Sequence, residues 1–175
     1  MNANTFRHFY NYHIAENRKV WDRYIIPLSY EQFSQHADYS IGSIRDQIIH
    51  LLDVDELWFS ELRNVEPSEP LPSTNLDDRK HIRERWDAIE QFMLEYLSEL
   101  QDDTLFDKPI KEPEEDKDLA VWQVLLHVVN HGTDHRAQLL RLLNDLGVKT
   151  TSQDYIFYVY DNPYMFQNRK TVLSQ

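Results

Sequence analysis

The sequence predicts an all-α fold, and three observations carry that expectation. Glycine occurs only three times in 175 residues, too rarely for the many tight turns of a β-sandwich. Four long segments repeat apolar residues at intervals of three and four, the period of a helix with one buried face. The length suits one compact domain, whose core buries well over half of the surface the unfolded chain exposes. Together they predict an up-and-down-type antiparallel four-helix bundle over residues 1–160, followed by an aromatic C-terminal extension with residues 161–175 as its tail.

The first helix is predicted over residues 4–24, where Phe6, Phe9, Tyr10, His13, Ile14, Asn17, Trp21, Tyr24 and Ile25 fall near one stripe and Pro27 lies just beyond. The second covers residues 43–63, with Ile44, Ile48, Leu51, Leu52, Asp55, Trp58, Phe59 and Leu62 on its main stripe. At about 100° per residue His50 falls on the flank of that stripe, on an arc with Val54 and Leu57, and so faces a different neighbour. Prolines at 67, 70 and 72 mark a loop. A third helix over residues 76–100 carries Ile82, Trp86, Ile89, Met93, Tyr96, Leu97 and Leu100. Residues 102–118 read as a loop or a short hairpin, and a fourth helix over residues 119–146 is closed by Gly147 in the C-cap place. The stretch SQDYIFYVYDNPYMF is aromatic and is expected to pack on the bundle, extended or helical.

Composition excludes several function classes. Hydrophobic residues at 41% and aromatics at 13% are globular values. A formal net charge of −12 repels a phosphate backbone, so no nucleic-acid partner is expected. No segment has the apolar length of a signal peptide or a membrane span, which points to a cytoplasmic protein without a membrane partner. The absence of cysteine removes disulfides, thiolate metal ligands and a cysteine nucleophile, so any thiol chemistry needs a thiol from outside.

The segment HVVNHGTDH spaces His127, His131 and His135 at intervals of four. With Val124, Val128, Gln138, Leu139 and Leu142 they are predicted to share one inward arc of the fourth helix. A buried polar group left unpaired costs about 1–3 kcal/mol, so something should satisfy these side chains. For a lone core histidine the usual partner is a carbonyl or a carboxylate. For two histidines four apart a metal competes, because both can reach one ion at about 2.0–2.1 Å. Gly132 stands where a zincin helix carries its glutamate, so no such base is implied. The spacing names two ligands and leaves His13, His50 and His127 as candidates for the third. His8, His36 and His81 are expected in solvent, and Asp53, Asp55 and Glu56 read as a mostly solvated acidic face from which one carboxylate could orient a ligand.

The segments YNYHIAENRKVWDRY, SIGSIRDQIIHLLDVDELWF, VWQVLLHVVNHGTDHRAQLLRLLNDLG and SQDYIFYVY resemble successive landmarks of the DinB family, four-helix-bundle metalloproteins named for DNA-damage inducibility. The resemblance covers roughly residues 5–160 and is most specific in the H-x-x-x-H-R-x-Q run. It implies that His50, His131 and His135 bind a divalent metal, and that His127 occupies a position often filled by histidine without ligation. It also marks two departures: His13 stands where an aromatic residue is common, and Ala137 where glycine is common.

Three neutral imidazoles leave an ion's full charge for an open position, where water is acidified and a thiol is deprotonated. Zinc suits the ligand type best, with nickel, copper or iron as competitors. The resemblance therefore implies an S-transferase that activates a low-molecular-weight thiol against a small-molecule electrophile. Hydrolysis by acidified water and a non-catalytic metal- or ligand-binding stress protein are the alternatives. Trp58 and Trp122 are candidates for the pocket wall, His13 and His127 for its polar surroundings, and Arg136 and Gln138 for either structural or substrate-facing roles. Val54, Leu57 and the aromatic tail leave room for a homodimer.

Overall fold

The computed structural model describes residues 1–72 and 76–163. Among these residues every regular element is helical, in the order α1 (Ala3–Val20), α2 (Tyr30–Ser34), α3 (Ile44–Arg63), α4 (Arg79–Glu99), α5 (Val121–Asp145) and α6 (Tyr155–Asp161). The four predicted helices are α1, α3, α4 and α5.

Local chemistry sets their ends. Asn2 caps α1 by accepting from the Thr5 N–H at 3.0 Å. The helix then runs on through one wider π turn, Trp21–Ile25. Ser43 and Asp46 form a reciprocal capping box at the start of α3. Asn64, in the left-handed conformation at φ 52°, ends it. Gly147, at φ 78°, follows α5, as its C-cap position predicts. One feature is not expected, and two others decide between readings left open. The short α2 is built on a Ser29–Gln32 capping box that buries Phe33. Residues 102–118 form no hairpin and contain a single 3-10 turn, Thr104–Phe106. The tail begins as helix, with Tyr158 turned inward and Ile156, Phe157 and Tyr160 outward; residues 164–175 lie outside the described residues.

Each long helix packs against two others: α1 against α4 and α5, and α3 against α4 and α5. The first and second long helices are therefore diagonal partners, which corrects the simple up-and-down winding. The physical reason lies in their connection, because the π turn, α2 and the following loop are long enough to cross the end of the bundle. The core is filled by Phe6, Tyr10, Ile25, Phe33, Ile48, Leu51, Leu52, Phe59, Trp86, Met93, Leu125, Val128 and Leu139, all buried. Trp21 meets Trp86 edge to face with ring centroids 5.8 Å apart. This winding makes α3 and α5 neighbours, which brings residues 50 and 131 together.

Candidate metal centre

His50 on α3 meets His131 and His135 on α5, with one ring nitrogen from each lying within 4.8 Å of the other two. The two α5 residues stack one turn apart with ring centroids 4.3 Å apart. The His50 ring lies 4.6 Å from that of His135 and 5.1 Å from that of His131. His50 Nε2 and His131 Nε2 are 3.2 Å apart. Two nitrogens each about 2.0–2.1 Å from one tetrahedral ion are separated by roughly 3.3 Å, so this pair already has the spacing of two ligands. The donor set fits a divalent ion that accepts imidazole.

The electrostatics favour neutral rings. Burial pulls the His131 imidazole down to about 4, and the neighbouring rings of His135, His50 and His127 act in the same direction. Burial also lowers His50, with His135 adding to the effect. It lowers His135 as well, against an opposing pull from Asp134. All three rings are thus unprotonated at neutral pH, the form that ligates a metal. His135 Nδ1 is held at 3.0 Å by the Oε1 of Gln47, a fully buried residue on α3. Sequence reasoning passed over Gln47, whose one available signal was its place one turn before His50.

The arc predicted for α5 is rotated from the one observed. Val128, Gly132, His135, Arg136 and Leu139 face inward, whereas His127 is exposed and His131 half-buried. The histidines therefore line the edge of the bundle rather than its centre. His127 rests edge-on against Trp58, with centroids 5.2 Å apart, and its ring lies 5.7 Å from that of His131. Together they wall one side of the cluster. Trp122 is nine residues before His131, half a revolution round the helix, and packs against the apolar core. Val54 is half-buried and Leu57 exposed on the same flank of α3 as His50.

His13 lies elsewhere, in a sealed polar network. Its Nδ1 faces Arg136 Nη1 at 3.2 Å, and its Nε2 faces Asp55 Oδ2 at 3.1 Å. Arg136, fully buried, also donates to Asn17 Oδ1 at 2.8 Å, Gln153 Oε1 at 2.9 Å and Thr133 Oγ1 at 3.1 Å. Arg136 is thus fully engaged by protein partners, and His13 is not part of the three-histidine cluster. Asp55 is not on a solvated face, because the diagonal approach of α1 and α3 buries it against His13. Glu56 is also buried, held by Arg85 at 2.6 Å, and Asp53 pairs with the same arginine at 3.0 Å. Of the histidines expected in solvent, His36 and His81 are exposed, while His8 is half-buried with Nε2 at 2.6 Å from the Tyr155 hydroxyl. The helical tail folds back onto α1 and covers it.

No described helix is long and apolar enough to cross a membrane. A family model described as the DinB family matches residues 1–170. Protein DinB of Bacillus subtilis (strain 168) is 25% identical over 158 residues, which span 86% of this chain and 91% of that protein.

Proposed function

From the premise that this chain belongs to the DinB family, we propose that it is a cytoplasmic metal-dependent S-transferase with His50, His131 and His135 as ligands. The convergence of three imidazoles of lowered pKa at the half-open edge between α3 and α5 is the observation that carries this reading. When bound, a divalent ion, zinc by ligand type with nickel as the competitor, supplies the Lewis acidity that ionises a thiol at neutral pH. The remaining work falls to the chain's own side chains. With no cysteine in the sequence, the thiol is a low-molecular-weight co-substrate. Asp53 and Asp134 are engaged by Arg85 and Gln138, so neither is poised as a general base. Trp58, with Leu57 exposed one residue before it, offers an apolar wall beside the cluster for a hydrophobic electrophile.

The test is conjugation of an electrophilic reporter to each of a panel of cellular thiols by zinc-loaded protein, with His50→Ala as the control. Turnover with at least one thiol, lost in the control, is expected. Turnover without thiol would replace this reading by hydrolysis, and none with the metal in place would leave a binding role.

A further inference from the structure

We infer that Gln47 is a positioning residue for His135, and that a one-way chain of hydrogen bonds beginning at Asp134 fixes which nitrogen of that ring carries the proton. An ionised carboxylate only accepts, so the Gln138 side chain must turn its NH₂ toward Asp134, and it does, with Nε2 at 3.0 Å from Oδ2. That orientation aims the Gln138 carbonyl oxygen back into the bundle. A carbonyl also only accepts, so Gln47 must present its NH₂ there, and Gln47 Nε2 lies 3.3 Å from Gln138 Oε1. The Ser40 hydroxyl donates to the same oxygen and reinforces the polarity. Gln47 Oε1 is then the atom left facing His135 Nδ1, at 3.0 Å. Only an Nδ1–H can donate to it. A neutral imidazole has one such proton, so Nε2 carries the lone pair.

Each link permits one direction, and the direction is set by a charge at the far end. Reversing any amide would place oxygen against oxygen or NH₂ against N–H. The chain joins both helices of the cluster, since Gln47 stands on α3 and Asp134, His135 and Gln138 on α5. The consequence for metal affinity rests on the metal-binding reading above; the tautomer itself does not.

The experiment reads both separately. In metal-free protein at pH 8, where the rings are neutral, ¹⁵N-resolved imidazole spectra should show His135 as the Nδ1–H tautomer. Gln47→Met, which keeps the bulk and removes the acceptor, should give a mixture of tautomers and weaken zinc binding by about 10–100-fold. Gln47→Glu, which keeps an acceptor, should restore the Nδ1–H form. Because Gln47 is buried, the half-exposed Gln138→Ala serves as a second variant and should shift the tautomer ratio in the same direction by less. An Nε2–H tautomer in the wild type, or a ratio unchanged in both Gln47→Met and Gln138→Ala, overturns the inference. The expected tautomers in a protein that takes up no zinc would support the role of Gln47 and sink the metal site instead.

Discussion

Two polar clusters share one stretch of α5, and they are built on opposite rules. Around Arg136 both nitrogens of His13 have protein partners, and the guanidinium donates to Asn17, Gln153 and Thr133 in full burial. Five residues earlier on the same helix, His131 is half-buried, its Nδ1 has no hydrogen-bond partner, and its Nε2 faces another imidazole nitrogen. The first cluster gives both His13 nitrogens and the Arg136 guanidinium protein partners, with Asp55 Oδ1 left over, and holds α1, α3 and α5 together. The second leaves lone pairs converging at the bundle edge, where a ligand can reach them. Partner accounting for each ring nitrogen thus separates a histidine of the core from a histidine of a site, where burial or spacing alone would not.

The contrast is most easily broken at Arg136. Removing the guanidinium in Arg136→Met leaves Asp55 buried without its nearby cation and strips partners from His13, Asn17 and Gln153, a loss of about 3–5 kcal/mol. The urea midpoint should fall accordingly, with zinc stoichiometry at low denaturant unchanged. An unchanged midpoint would erase the distinction. Gly132 comes next, because a Cβ there would lie 2.4 Å from His13 Cε1 and 2.6 Å from His13 Nδ1. His13 is fixed by both neighbours and cannot yield. Gly132→Ala should therefore destabilise by about 1–3 kcal/mol of overpacking, less the roughly 1 kcal/mol that alanine contributes in a helix. A net gain in thermal stability would show that the network is looser than described.

Acid sharpens the comparison from the other side. The cluster imidazoles have folded-state pKa values below their ordinary one of about 6.5, with His131 near 4. Between these limits the unfolded chain binds more protons than the folded one, so the sign is fixed: metal-free stability falls as pH drops below about 6.5. The His131 share of the loss is complete once its folded pKa near 4 is passed. Half-exposure keeps the size modest. His131→Ala should flatten this slope, and an equal slope in the variant would contradict the assignment. The smallest effect belongs to His127. Exposed and outside the three-nitrogen cluster, it should change stability by no more than about 0.5 kcal/mol as His127→Ala, without loss of metal.

Much of this was legible before any coordinates. Four apolar stripes located α1, α3, α4 and α5, and the flank position of His50 matches its half-burial beside the fully buried Leu51 and Leu52. The i, i+4 spacing paired His131 with His135. What stayed hidden depends on distant partners. Arg136 reads equally as structural or substrate-facing until Asn17 and His13 arrive from α1, and Gly132 reads only as the absence of a zincin glutamate until the His13 ring is seen against it. A helical arc drawn through the histidines was therefore rotated away from the true inward face. Asp55 stands on the main stripe of its helix yet reads with a solvated acidic face, because its partner His13 comes through a diagonal contact that no local pattern encodes. The Ser29–Gln32 box that starts α2 was present in the sequence but stood outside any long stripe.

The central claim is that His50, His131 and His135 form one metal site. Cobalt(II) titration of untagged protein tests it most directly, since the ion reports its coordination in its visible spectrum. The account predicts one tightly bound equivalent per chain with the strong bands of a tetrahedral ion, abolished in His50→Ala, His131→Ala and His135→Ala and kept in His13→Gln and His127→Ala. A spectrum that survives in any of the first three, or no tight binding in the wild type, would contradict it.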